Sequence, residues 1–235
     1  MSRMMHISSQ QAPVYIYEFK ITLNHSNPTI WRRIQVPELY NFHDLHLAIQ
    51  FAMGWKSGHM HQFDMNHPRT SKEVSIGFPN EEGFSDYKVL SEKRVKISNY
   101  FTLLNNMALY TYDFGDGWEH EILLERILTA VANTTYPKCV DGERACPPED
   151  CGGIYGYKYL LEIIANPQHR EYAEKKRWLN WIGYNEVNPE HFDPRFVGCY
   201  LMSYVIHLSF CSMECIYLII YLKKLFLFIP YLFFS

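Results

Sequence analysis

Two long stretches of alternating β-branched and aromatic residues constrain the fold of this chain more than any other feature. Residues 14–36 are typical of a strand, a turn at 24–28 and a return strand, which Pro37 closes. Residues 109–125 form a second such pattern around Gly-Asp-Gly at 115–117, where a tight reversal needs residues that tolerate positive φ. Both patterns predict long antiparallel hairpins, with alternate side chains facing a core.

Other segments have helical spacing or no clear period. Apolar residues at helical spacing predict helices at 41–54, 98–106, 157–165 and 170–182. Asn41 or His43 can cap the first of these, and Gly54 is placed to end it. Residues 59–65 alternate like a further strand, and 133–156 show no period, which predicts a loop. The expected fold is therefore a single α+β domain, a mostly antiparallel sheet with helices packed on it.

Several motifs, taken in order, resemble one known family. They are Ile-Trp-Arg-Arg at 30–33, Leu-His at 45–46, Met-Gly-Trp at 53–55, His-Met-His-Gln-Phe at 59–63, Tyr-Asp-Phe-Gly-Asp-Gly-Trp-Glu-His at 112–120 and the Cys-, Pro- and Gly-rich run at 139–157. In this order they resemble the plasmid pRiA4b ORF-3-like family, over about 14–197. The resemblance implies one α+β domain over 14–197, which leaves 1–13 as a disordered N-terminus. The family is essentially uncharacterised, so the resemblance implies little about activity.

Some members of that family have a label that links them to an insertion-element resolvase, which implies a mobile-element context. A recombinase needs several arginines around the phosphodiester that it cleaves. This chain has 22 Lys+Arg against 25 Asp+Glu, and no dense arginine set beyond Arg32 and Arg33. Those two arginines lie in a predicted strand and point to opposite faces, with Trp31 expected in the core. The resolvase label is therefore not transferred to this chain.

Three cysteines at 139–151 are the first candidate site. Cys139, Cys146 and Cys151 have the spacing C-x6-C-x4-C in a turn-rich stretch. With His120 as a fourth ligand they predict a closed, structural Zn²⁺ site, and His59 and His61 are the reserve ligands. The spacing lacks the C-x2-C knuckle, so three reduced, packed cysteines are the alternative interpretation.

The second hairpin is the other candidate. Asp113, Asp116 and His120 fall within eight residues and could hold a divalent metal or act as an acid–base pair. Strand alternation places His120 on the same inward face as Trp118. The competing interpretation is a turn in which Asp caps backbone N–H groups and the histidine lies in the core.

The composition changes abruptly near residue 198. Of residues 199–235, 28 of 37 are apolar or Cys, and only Glu214, Lys223 and Lys224 are charged. The stretch 198–222 is long enough for a C-terminal membrane anchor, although Glu214 would be costly inside it. The family pattern ends near Val197, and this composition is also what translated non-coding sequence gives. The second interpretation is favoured, so 198–235 is expected to lie outside the domain.

These observations predict an uncharacterised soluble binding module, cytoplasmic unless the tail is an anchor. The N-terminus has no apolar stretch typical of a secretory signal. A protein or nucleic-acid partner is compatible with the sequence, and a membrane partner would require the anchor. Two alternatives stay open: a metal-dependent hydrolase or nuclease that uses Asp113, Asp116 and His120, and a DNA-binding accessory protein.

Overall fold

The two predicted hairpins are both present in the computed structural model of the protein, which describes residues 4–6, 14–79, 88–184 and 186–194. The first pairs strand 15–23 with strand 30–37, and the second pairs strand 107–112 with strand 118–129. The strands are β1 (Met5–His6), β2 (Tyr15–Leu23), β3 (Ile30–Pro37), β4 (His61–Asn66), β5 (Glu73–Gly77), β6 (Val89–Ser91), β7 (Met107–Tyr112), β8 (Trp118–Thr129), β9 (Thr135–Tyr136) and β10 (Lys138–Glu143). The helices are α1 (Phe42–Met53), α2 (Gly153–Ala165) and α3 (Tyr172–Trp181).

Eight strands form one sheet in the order β10-β3-β2-β8-β7-β4-β5-β6. Every pair is antiparallel except β5 with β6. Strands β1 and β9 form a separate two-stranded sheet. The expected fold class, an α+β domain with a mostly antiparallel sheet, is confirmed.

One face of the large sheet carries the core, because alternate residues of its strands are buried. On β8 the buried residues are Trp118, His120, Ile122 and Leu124. Helix α1 packs against β3 and β5, and it begins and ends where the sequence predicts. Asn41 closes a capping box with Asp44, and Gly54 takes the left-handed conformation (φ 81°) at the C-terminal end.

Two predictions of secondary structure are wrong. The helix expected at 98–106 is only a single 3-10 turn, Ile97–Asn99, and Leu104 is fully exposed. The loop expected at 133–156 contains strand β10, which pairs with β3 through a bulge between Cys139 and Asp141. An edge strand with a bulge has no regular apolar period, so the sequence did not reveal it.

The two arginines of β3 lie on opposite faces, as alternation predicts, but the expected burial of Trp31 is wrong. Arg32 is the inward residue, with 2% exposed, and Trp31 lies on the outer face with Arg33. The Arg32 guanidinium donates to the backbone carbonyls of Ala52, Trp31 and Glu143, and it lies 4.0 Å from the centroid of the Phe192 ring. These contacts replace the water that a buried guanidinium loses.

Within the described ranges, no helix is both long and apolar enough to cross a membrane. The segment 198–222, predicted as a membrane anchor or an extraneous tail, lies outside the described residues.

Candidate divalent-cation site

Three segments that are distant in sequence meet at one end of the β7–β8 hairpin. They are the loop between α1 and β4, the first residues after β7, and the loop between β10 and α2. They bring together His59, Asp113 and Asp150, one ligand atom of each lying within 4.8 Å of the others. His59 Nδ1 lies 3.6 Å from Asp113 Oδ2, and His59 Nε2 lies 3.0 Å from Asp150 Oδ1.

The loop that carries His59 is held by hydrogen bonds to its surroundings. The Trp55 indole N–H donates to the Pro147 carbonyl (2.8 Å), and the Lys56 backbone N–H donates to Glu149 Oε2 (3.0 Å). The Gly58 N–H donates to the Tyr112 hydroxyl (3.1 Å), which in turn donates to Glu149 Oε1 (2.6 Å). His59 is therefore fixed against both the hairpin and the loop before α2.

The two aspartates are positioned by their own local structure. Asp113 Oδ1 accepts from the N–H groups of Gly115 and Asp116, which leaves Oδ2 to face His59. Asp113 and Asp150 both have positive φ, 56° and 59°, a conformation that Asp tolerates better than most residues. The side chain of Asp113 is 13% exposed and that of Asp150 is 66% exposed. The Asp113 carboxylate is therefore held by the turn, whereas the Asp150 carboxylate is exposed and, among the described residues, contacts only His59 in an ion pair.

Behind this site lies a buried polar network that connects α1 to the sheet. His46 Nδ1 lies 2.8 Å from the Tyr110 hydroxyl, and His46 Nε2 lies 2.5 Å from Ser57 Oγ. Gln50 donates from Nε2 to the same Tyr110 hydroxyl (3.0 Å) and accepts from the Ser57 N–H (3.0 Å). Because its polar groups are paired, this network stabilises the loop between α1 and β4 through its bonds to Ser57.

The network continues through a stack of imidazoles. The His46 and His61 rings are parallel, with centroids 3.4 Å apart. Glu92 accepts on one oxygen from His61 and faces His43 with the other, at 2.5 and 2.9 Å. Burial raises the pKa of Glu92, but the hydrogen bonds and charges of His61 and His43 outweigh it and leave that pKa below its usual value. The ionised Glu92 carboxylate thus links the end of β6 to His43 on α1 and to His61 on β4.

The structure separates the residues of the predicted hairpin site. Asp113 belongs to the His59 group, whereas Asp116 accepts from the Gly152 N–H (3.1 Å) and so fixes the loop before α2. His120 is fully buried, with its ring against Trp55 and Tyr110 at centroid distances of 5.4 and 5.5 Å. Of Asp113, Asp116 and His120, only Asp113 lies in the group that brings ligand atoms together.

The predicted zinc ligands lie on separate elements of the described part of the chain. Cys139 pairs with Ile34 in the sheet, Cys146 lies in the following loop, and Cys151 precedes α2. Among the described residues, no three of these thiols and His120 bring ligand atoms within 4.8 Å of one another. The Arg32 guanidinium interacts electrostatically with Cys139 and Cys146, and a positive group there disfavours a second cation. Zinc binding by the three cysteines and His120 stays a prediction.

The environment of these cysteines leads to a labelling prediction. Burial raises the pKa of Cys139 to about 11 and the pKa values of Cys146 and Cys151 to about 12. Because the thiolate is the nucleophile, iodoacetamide at pH 8 should modify each of them at least about 100-fold more slowly in the folded protein than in urea. Mass spectrometry of the individual peptides measures these rates.

The same labelling experiment tests the zinc prediction. A chelator should leave the three slow rates unchanged if the thiols are protonated and buried. Rates that rise when the chelator is added would indicate bound metal, and any thiol that reacts at its unfolded rate would contradict the burial argument.

Most residues that build the site were not predicted as its members. The sequence pattern indicates His59 only as a reserve zinc ligand and predicts no ligand role for Asp150. It does not indicate His46, Ser57 or Tyr110 as site residues. The one signal available was a polar residue, His46, beside the apolar positions Leu45 and Ile49 of a helix. That pattern marks a buried polar group without showing its partner.

The chain is similar in sequence and in fold to known proteins. A model of the family described as plasmid pRiA4b ORF-3-like protein matches residues 15–196. An uncharacterised protein, y4hQ, from Sinorhizobium fredii is 35% identical over 172 residues, which cover 73% of this chain and 84% of that protein. The crystal structure of MM3350 from Methanosarcina mazei Go1, a protein of unknown function, is similar with a TM-score of 0.71 and 43% identity. That match covers 78% of this chain and 98% of the other.

The family match spans the sheet, the helices and all three residues of the His59 group. The chain therefore belongs to the plasmid pRiA4b ORF-3-like family.

Proposed function

We propose that this domain is a binding module whose centre holds one divalent cation between His59, Asp113 and Asp150. The observation that carries the proposal is the meeting of three ligand atoms from three separate segments within 4.8 Å. One imidazole nitrogen and two carboxylates suit ions such as Zn²⁺ or Mn²⁺.

The present spacing is slightly wide for a bound ion. Two ligands at about 2.1 Å from one ion lie at most about 4.2 Å apart. Asp150 can close the difference, because its side chain is 66% exposed and its ion-pair contact is with His59 itself. Asp113 stays in place through its bonds to the turn. The cation would also relieve the repulsion between the two carboxylates.

Three protein ligands leave coordination positions for water or for a bound molecule. Structural zinc sites are closed by four protein ligands, whereas sites that bind or transform a ligand keep a position open. The exposed fractions of His59 and Asp150, 36% and 66%, put the open positions toward solvent. This arrangement supports a module that binds a ligand through its cation.

The proposal predicts cation binding that depends on His59 and Asp150. Isothermal titration with ZnCl₂ and MnCl₂, after chelator treatment, should give one site, and His59→Ala and Asp150→Ala should each weaken it at least about tenfold. His25→Ala is the matched control, because the His25 side chain is 74% exposed and lies outside the site. That variant should bind as the unchanged protein does.

A second set of variants separates this centre from the predicted cysteine site. Cys146→Ser should leave the titration unchanged if the cation lies at His59, and should abolish zinc binding if it lies among the cysteines. Absence of binding, or binding that neither His59→Ala nor Asp150→Ala reduces, would contradict the proposal.

A further inference from the structure

A cavity of about 180 Å³ adjoins the proposed cation centre on the side of Asp150. It lies where α2 and α3 pack together, next to the loop that precedes α2. Its lining includes Asp150, Cys151, Tyr159, Glu174, Lys175 and Trp178. Asp150 is thus shared by the cavity and the proposed cation centre.

Lys175 contributes a positive charge to the lining of the cavity. Its side chain is half-buried, and its ammonium lies 6.0 Å from the centroid of the Trp178 ring. Among the described residues, no carboxylate forms an ion pair with this ammonium, although Asp150 and Glu174 line the same cavity. A half-buried ammonium without an acidic partner favours an anion beside it.

The walls and the size limit what that anion can be. Tyr159 and Trp178 are among the residues that line the cavity, and aromatic rings pack well against a planar molecule. A cavity of roughly 150 Å³ accommodates benzene. The volume of about 180 Å³ therefore has room for one six-membered ring and an acid group.

We propose that this cavity binds a small planar organic acid whose carboxylate bridges the cation and Lys175. The ring would lie against Tyr159 and Trp178, and the negative charge would lie between the two positive groups. This inference rests on the proposed function, because the bridging requires a cation at Asp150.

Benzoate is the probe, and the cation is titrated first. With the protein saturated with Mn²⁺, isothermal titration should show benzoate binding that is at least tenfold tighter than without the cation. Benzamide, which lacks the charge, and inorganic phosphate, which lacks the ring, should each bind at least tenfold more weakly than benzoate.

Two lysine variants assign the second contact. Lys175→Met should weaken benzoate binding at least tenfold and leave Mn²⁺ binding unchanged. Lys158→Met, on α2 over the Tyr155 ring, is the matched control, and it should change neither. His59→Ala should lose both ligands.

The outcomes separate the two proposals. Normal Mn²⁺ binding without benzoate binding, or with benzoate binding that Lys175→Met does not weaken, overturns this inference and leaves the cation centre intact. Benzoate binding of equal strength with and without Mn²⁺ overturns the bridge. Phosphate binding as tight as benzoate, with the same dependence on Lys175, overturns the planar acid as the ligand. Absence of Mn²⁺ binding in the first titration overturns the cation centre and this inference together.

Discussion

Acidification from pH 7 to pH 5 should lower the free energy of unfolding by about 4 kcal/mol, through two buried histidines. Burial lowers the pKa of His46 from 6.5 to about 2, with the charges of His61 and His43 adding to the effect. Burial also lowers the pKa of His120 to about 4, although its backbone hydrogen bonds act in the opposite direction. Both side chains are at most 1% exposed, so the solvent does little to screen these effects.

The sign follows from which state binds the protons. In this pH range the unfolded chain protonates both histidines near pH 6.5, whereas the folded protein keeps them neutral. Their contribution is therefore fully present above pH 6.5, and it is lost as the pH falls toward 4 for His120 and toward 2 for His46. Each histidine contributes about 2 kcal/mol of the change between pH 7 and pH 5. Urea unfolding across this range measures it.

One variant isolates the contribution of a single histidine. His120→Phe keeps a ring against Trp55 and Tyr110 and removes the titrating group, so the change between pH 7 and pH 5 should fall to about 2 kcal/mol. His25→Ala, at an exposed turn, should leave the profile unchanged. A stability that does not vary between pH 7 and pH 5 would show that His46 and His120 are not held neutral in the folded protein.

Gly153→Ala should destabilise the protein by about 4 kcal/mol, because two costs coincide at this residue. Gly153 has φ +66°, which a residue with a Cβ adopts at a cost of about 1–2 kcal/mol. A Cβ there would also lie 2.2 Å from the backbone oxygen of Asp116. Relieving that overlap means moving the hairpin turn away from the start of α2, at a further cost of about 1–3 kcal/mol.

Gly183→Ala is the matched control for the close approach. Gly183 also has positive φ, +98°, but a Cβ there meets nothing within 4 Å. Its substitution should therefore cost only the backbone term, about 1–2 kcal/mol, by the same urea titration. Equal losses for the two variants would contradict the tight contact at Asp116.

Gly153→Ala should also weaken cation binding at the proposed centre. The contact between Gly153 and Asp116 joins the hairpin that carries Asp113 to the loop that carries Asp150. Moving the two apart would therefore weaken Mn²⁺ binding, whereas Gly183→Ala should leave that binding unchanged.

The spacing of apolar residues predicted the helices and strands of this fold well where one face of the element is buried. Alternation placed Trp118 and His120 on the inward face of their strand, and both are buried there. It failed for β10, an edge strand with a bulge, and for 98–106, where apolar residues at helical spacing form turns. It also did not show that Arg32, rather than Trp31, is the inward residue of β3. Backbone carbonyls and the Phe192 ring make that burial tolerable, and a strand pattern does not reveal such partners.

The sequence by itself determined the two hairpins, the first helix with its caps, the family and the sheet that these imply. Each of these depends on residues that are neighbours in the chain, whose spacing matches the period of a strand or a helix. Only the tertiary structure decided which polar side chains meet. His59, Asp113 and Asp150 come from three different connections between elements, and the bonds of Trp55, Tyr112 and Asp116 fix how those connections lie. That convergence results from the packing of elements against one another, which the periodicity of residues along the chain does not show.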